Sequence, residues 1–206
     1  MPVYALGEVV PVVSPGAFVH PLASLIGDVV IGDGCYVGPF ASLRGDFGRI
    51  ELEDGSNVQD GCVMHAFPGQ SAVIERDGHI GHGAVLHGCR IGRGALVGMG
   101  AVVMDGARVG VQAFVAAQSF VPSDFVVEDR WLVAGVPARP RRPLTEAEIA
   151  WKANGTRVYQ ELARQCRTSL REVAPRTTVE PDRPAPLLAA AAAVPLRTHR
   201  DRRDDR

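Results

Sequence analysis

The chain has no excess of either charge. Its 22 Lys and Arg stand against 23 Asp and Glu, and a balance this close to neutral argues against a dedicated nucleic-acid binder. No apolar run is long enough to span a bilayer. The opening residues, MPVYALGEVVPVV, lack the charged region and small-residue cleavage site of a signal peptide, so a cytoplasmic location is expected. Four cysteines in 206 residues are too few for the disulfide framework of a small secreted domain. The apolar residues follow neither the 3.6-residue period of an amphipathic helix nor the plain alternation of a half-buried strand.

What is there instead is a period of six. Aliphatic residues fall at Val13, Val19, Leu25, Ile31, Val37 and Leu43. Four positions after each aliphatic comes a mostly small residue, at Ala17, Ala23, Val29, Cys35 and Ala41, and glycine often follows the aliphatic, as at Gly32 and Gly38. The repeat specifies a mainly β protein, a left-handed parallel β-helix whose triangular coils take three hexads, 18 residues, each. The aliphatics and the small residues point inward, and glycine and polar residues make the turns. The register slips near Arg49, is broken by residues 64–73 with their Pro68-Gly69 turn signal, and shortens by one between Leu86 and Ile91. It then holds to Val121.

This gives four segments. Residues 1–122 form the solenoid. Residues 123–143, rich in proline, read as a strap leaving the prism. Residues 144–171 form an amphipathic helix, opened by a capping box at Thr145 and Glu148, with a stripe at Val158, Leu162, Cys166 and Leu170 widened by Tyr159 and Ala163. Asn154-Gly155 is expected to break or bend this helix, which should pack back along the prism. Residues 172–206, rich in Pro, Ala and Arg, are expected to be disordered. The run 187–196 is too short and too proline-bounded to span a membrane.

The chemistry rests on histidine spacing. His65, His82 and His87 cluster around the two breaks in register, and irregularity in a solenoid commonly marks a working site. His65 and His82 are 17 residues apart, close to one coil, which would stack them on one face. His82 and His87 occupy different faces of one coil. One prism cannot easily converge all three, but a neighbouring subunit of a homotrimer can complete the set. Three neutral imidazoles with an open position for water make a catalytic metal site. They suit zinc first, and iron, cobalt or nickel as well. His79, beside the Asp77-Gly78 turn, reads as a structural residue or one supporting the ligands from behind. His20 and His199 need only solvated roles. Arg44 and Asp46 are either a surface ion pair of little worth or an inter-subunit pair aligning the ligands. Gln59-Asp60 is either a polar turn or the group that orients the metal-bound water. Cys35, Cys62 and Cys89 fall in the small inward slot and read as core.

Leu43-Arg44-Gly45-Asp46, Val58-Gln59-Asp60, His65 and the segment IGHGAVLHGC at 80–89 together resemble the γ-class carbonic anhydrase-like hexapeptide-repeat family. The likeness covers residues 1 to about 171. The longer segments SLRGDFGRI, NVQDGCVMHAFPGQ and AWKANGTRVYQELA are similar to its phenylacetic-acid-degradation branch and more loosely to its carnitine-operon branch. The resemblance implies a homotrimer with one divalent metal at each subunit interface, His65 and His87 coming from one chain and His82 from its neighbour. It places Gln59 near the metal-bound water, Tyr159 near the pocket, and Arg44, Asp46 and Asp60 in pairs across the interface. It implies hydrolysis of CoA thioesters, in particular of ring-hydroxylated phenylacetyl-CoA-type products, by a metal-bound hydroxide. The prototype carbonic anhydrase shuttles protons on an acidic loop, and AFPGQSAV at 66–73 has no glutamate. That favours the thioesterase over reversible CO2 hydration. A non-catalytic trimeric scaffold and a CoA-dependent acyltransferase are the remaining readings of the same fold, and no nucleic acid or membrane partner is expected.

Overall fold

A computed structural model describes residues 2–185. The chain winds as a parallel β-solenoid of about seven turns, with one long helix, α1 (Glu146–Ser169), laid along it. One face is an eight-stranded sheet running from Phe18–Val19 through Asn57–Val58, His79–Ile80 and Phe114–Val115 to Trp131–Gly135 and Ala138–Pro143. The other faces merge into a twelve-stranded sheet because Ser24–Ile31 and Ser42–Leu52 run continuously around a corner.

The six-residue beat becomes stacked columns. Leu25, Leu43, Met64, Leu86 and Val103 pair one above the next, as do Ile31, Leu52, Ile74, Ile91 and Val109. Every one of these side chains is at most 2% exposed, and each full burial contributes roughly 1.5–3 kcal/mol. The small slot is filled as its size requires. Cys35, Cys62 and Cys89 are buried, and burial pushes the Cys62 thiol up to about 11 and the Cys89 thiol up to about 12, so neither is a thiolate nucleophile.

Coil length is not constant. Ser42 pairs with Val63 and Val63 with Val85, then Val85 with Val102 and Val102 with Phe120. The first two coils are longer than the 18 residues of the regular repeat and the third is one residue shorter. Between the two columns above, the chain takes extra residues from Leu43 to Leu52 and from Met64 to Ile74, and one fewer from Leu86 to Ile91. All three irregularities therefore fall at one corner of the prism, in consecutive coils. Gly48 sits where they press together: a Cβ there would lie 2.6 Å from the Phe67 carbonyl oxygen.

The solenoid also runs on past residue 122 by two sides of a coil. Val126–Val127 pairs with Arg108–Val109, and Trp131–Gly135 pairs in parallel with Phe114–Val115. Val127 and Val133 continue the six-residue beat from Val121, all three buried. Residues 123–143 are thus not a strap leaving the prism. Ala138–Pro143 folds back antiparallel on Trp131–Gly135, closing the last edge with a strand whose prolines suit an edge position.

Thr145 caps α1 as a full capping box with Glu148. Glu148 is buried and also takes both Arg142 guanidinium nitrogens, at 2.8 and 2.7 Å, tying the helix start to the closing strand. The helix is unbroken at Asn154-Gly155. Nothing lies within 4 Å of a Cβ at Gly155, so the residue costs only its propensity, about 1 kcal/mol. The helix does return along the prism, but the buried stripe is rotated from the apolar one. It runs Ile149, Lys152, Thr156, Ala163, with Tyr159, Leu162 and Cys166 packed beside Phe18 and Tyr36, while Leu170 is half exposed. Polar residues hold the middle: Lys152 Nζ donates to the Asp77 carbonyl at 2.5 Å, and Gln160 Nε2 to the Gly55 carbonyl at 3.0 Å. Residues 171–185 form no helix or strand, and the apolar run 187–196 lies outside the described residues. No helix among the described residues is long and apolar enough to cross a membrane.

Thr145→Ala should lower unfolding free energy by about 1 kcal/mol, the usual cost of a lost N-cap. Glu148→Ala should cost more, since it removes the cap partner and the Arg142 pair together. Urea denaturation of the two variants checks the order.

Candidate metal centre

The irregular corner lines up four side chains from successive coils. His65 and His87 pair in register across strands Val63–His65 and Val85–His87, and His65 Nδ1 lies 3.0 Å from His87 Nε2. The outer nitrogen of each ring meets a carboxylate. His65 Nε2 is 3.0 Å from Asp46 Oδ1, and His87 Nδ1 is 2.6 Å from Asp105 Oδ1. Asp46 also sits 3.6 Å from Arg44. The result is a ladder Asp46–His65–His87–Asp105. Gly88, at φ +53, makes room for its last rung, because a Cβ there would lie 2.4 Å from Asp105 Oδ1.

His82 is not in this ladder. Because the coil here takes 22 residues rather than 18, the residue stacked on His65 is His87, and the expected His65–His82 stack does not form. His82 sits at the neighbouring corner, its Nδ1 3.1 Å from Asp60 Oδ2 and its Nε2 3.5 Å from the Tyr159 hydroxyl. Its side chain is 44% exposed, against 12% for His65. Among the described residues, no three His, Cys, Asp or Glu side chains of one chain converge as metal ligands.

The donor set nonetheless fits a divalent metal. Each of the three rings has one nitrogen engaged by a carboxylate, Asp46, Asp60 or Asp105. That arrangement orients a ligating imidazole and raises its basicity. The inward nitrogens of His65 and His87 are close to the roughly 3.3 Å that separates two nitrogens bound tetrahedrally to zinc.

A buried amide–imidazole cluster adjoins His82. His79 lies 2.8 Å from Gln59 Nε2, 3.2 Å from Asn57 Nδ2 and 3.5 Å from Thr156 Oγ1 of α1. Burial, then the charges of Lys152 and His82, hold the His79 ring down to about 3, so it is neutral. Burial likewise lowers Lys152 to about 7, against a smaller upward pull from Asp77. Tyr159 stacks edge-on against His79 at 5.3 Å, and burial followed by the Asp60 charge raises its hydroxyl to about 12, keeping it a proton donor. His20, by contrast, accepts from the Leu22 amide and lies edge-on to Phe18, and His199 lies outside the described residues.

Asp105 and Asn57 were not singled out from the sequence. Asp105 stands 18 residues after His87, the spacing of a regular coil, and that spacing was the available signal although the coil here takes 17. Phe47 and Phe67 were also missed. They pack on His65 and His87 with ring centroids 5.3 and 4.8 Å apart, yet remain more than half exposed.

The fold and these columns define a hexapeptide-repeat protein. Residues 11–45 match the bacterial transferase hexapeptide (six repeats) family. The chain is 55% identical over 184 residues to the carnitine operon protein CaiE of Salmonella newport, covering 89% of this chain and 93% of that protein. It belongs to that family, on the carnitine-operon branch of the γ-class carbonic anhydrase-like hexapeptide proteins. Among solved structures, a hexapeptide transferase family protein from Anaplasma phagocytophilum is 36% identical, with TM-score 0.76, over 79% of this chain and 96% of that one. The N-acyltransferase AntD from Bacillus cereus, solved with dTDP and 3-hydroxybutyryl-CoA, shares the fold at 12% identity and TM-score 0.57, over 68% and 86% of the two chains.

Two outcomes are expected. A divalent metal held by His87 would be bound about 10–100-fold more weakly in Asp105→Asn, the usual effect of losing a carboxylate behind a histidine ligand, with circular dichroism unchanged; competition with a chromophoric chelator measures it. The second concerns pH. The folded His79 value, about 3, lies below the ordinary 6.5, so its contribution is intact above pH 6.5 and is lost as pH falls from 6.5 towards 3. By pH 5 the loss reaches about 2 kcal/mol. His79→Gln should shrink the pH 7 to pH 5 difference in urea stability of the metal-free protein by about that amount.

Proposed function

We propose that this protein is a metal-dependent hydrolase of CoA thioesters that works as a homotrimer. The observation that carries the reading is the pairing of His65 with His87 at one corner, each ring backed by a carboxylate, with His82 held the same way at the next corner and its Nε2 beside the Tyr159 hydroxyl. Two corners of one prism cannot meet, but the corners of two copies can. Phe47 and Phe67 at one corner and Phe40 and Met99 at the other are all more than half exposed, and exposed apolar surface of this kind marks an interaction face. In a cyclic trimer the first corner of each subunit meets the second corner of the next.

His65 would offer Nδ1, His87 its Nε2, and His82 of the partner subunit its Nε2. Zinc suits this set best, with iron, cobalt or nickel as alternatives. When bound, the metal would supply an acidified water and a Lewis acid for a carbonyl oxygen. The protein groups around it have separable tasks. The buried Gln59 amide, fixed by Asn57 and His79, orients the attacking water. The Tyr159 hydroxyl, still protonated at neutral pH, donates to the oxygen on which charge develops. Arg44 and Asp46 align His65, and Asp60 aligns His82. Ring-hydroxylated phenylacetyl-CoA-type thioesters are the substrate class this reading assigns. Reversible CO2 hydration is the second reading, since the same site suits it. The loop at 66–73, AFPGQSAV, carries no acidic residue to export protons, which ranks it lower.

The test is subunit complementation. His65→Ala and His82→Ala trimers should each lack thioesterase activity and metal. Refolded together in equal amounts, they should regain about a quarter of the interfaces and a matching share of both, because some interfaces combine the intact halves. No recovery, or full activity in either single variant, would sink the interfacial site. CO2 hydration without thioester turnover in the wild type would move the function to the second reading.

A further inference from the structure

The two flanks of α1 differ. Trp151 and Tyr159 lie on the flank that faces His82. On the opposite flank a cavity of about 730 Å³ lies between the helix and a corner of the solenoid, a size that suits a small-molecule ligand. That corner is the stack of turns at 76–77, 93–94 and 111–112. It is the third corner of the prism, apart from the His65–His87 corner and from the His82 corner, so the interface proposed above does not use it. The cavity is lined by positive charge that no negative charge matches. Arg93 comes from the solenoid wall and Arg157 from the helix, and the buried Lys152 lines it too. Among the described residues the Arg93 guanidinium has no hydrogen-bond or ion-pair partner, and Arg157 donates only to the neutral Asn154 side chain, at 3.1 Å. Other arginines of the same stack are matched, Arg76 by Asp54 and Arg130 by Glu146. The carboxylate in the cavity wall, Asp77, already accepts from Gln160 Nε2 at 2.9 Å. Ala150 and Ala153 form the helix side between these groups and take up little of the space.

We propose that this cavity binds a phosphate dianion, held by Arg93 from the solenoid and Arg157 from α1, and that the ligand is a phosphomonoester of up to nucleotide size. Planar guanidinium forks match the oxygens of a phosphate group two at a time. Two of them neutralise a compact dianion, whereas a single carboxylate would leave one charge over. The volume beyond one phosphate group is what favours an ester over the free ion. Lys152 reinforces the site. Burial lowers its ammonium to about 7, and an anion placed in the cavity favours the charged form. The proposal is independent of the thioesterase reading, because neither arginine belongs to the groups assigned to that chemistry.

The test is calorimetric titration of the full-length protein, in phosphate-free buffer, with adenosine 5′-monophosphate, inorganic phosphate and adenosine. The monophosphate should bind at least about tenfold more tightly than either of the others. Arg93→Gln and Arg157→Gln should each weaken it by about tenfold or more, as expected for the loss of a charge-assisted hydrogen bond. Ala153→Glu, at an exposed position of the cavity wall, should abolish binding by repulsion. Two controls should leave binding unchanged: Arg108→Gln, which removes an exposed arginine outside the cavity, and His65→Ala, which disables the metal centre. No binding at millimolar monophosphate, or binding that survives both cavity arginine substitutions, would overturn the proposal. An equal loss in Arg108→Gln would overturn it in favour of a general surface field, and a loss in His65→Ala in favour of an anion on the metal. Inorganic phosphate that binds as tightly as the monophosphate, and is lost in the same variants, would keep the anion site and overturn the ester.

Discussion

One constraint governs the whole molecule: each coil must place an aliphatic side chain on the axis above and below its neighbours. The columns Leu25–Leu43–Met64–Leu86–Val103 and Ile31–Leu52–Ile74–Ile91–Val109 meet it without a gap. Between two such columns the chain is free to take more or fewer residues, since each coil answers only to its immediate neighbours. The variation is confined to one corner, and the His65–His87 pair stands there. The regular parts of the prism hold the irregular corner rigid, and the extra residues bring Phe47, His65 and Phe67 out from a wall that would otherwise present only short turns.

The helix applies a second layer of control. It is fastened at its start by Glu148, in the middle by Lys152 and Gln160, and further along by aromatic packing on Phe18 and Tyr36. Tyr159 thereby reaches His82 from outside the prism, and Thr156 touches the ring that braces Gln59. Groups from the first and second halves of the chain thus form one polar surface, although the solenoid alone could supply only part of it.

Much of this was legible in the sequence. The hexads gave the solenoid, the breaks in register pointed to the histidines, and Thr145 and Glu148 marked the helix start. The misreadings have definite causes. The final coil was hidden by prolines at 137, 140 and 143, although Val127 and Val133 kept the beat. The buried face of α1 was misplaced because Lys152 and Thr156, not apolar residues, occupy its centre. The stacking partner of His65 was misjudged because coil length is a sum over insertions that only the pairing register reveals. Asp105 was missed for a simpler reason: an aspartate before Gly106 looks like any turn residue until the coil above places His87 over it.

The contact between His65 Nδ1 and His87 Nε2 carries one more implication. Two neutral imidazole nitrogens 3.0 Å apart are attractive only if one of them bears the hydrogen. With both outer nitrogens turned to carboxylates, each ring of a neutral pair spends its single N–H outward, and the two inward nitrogens face each other as bare acceptors. A cation or a proton held between the rings would relieve that opposition, so the two would compete for the same space.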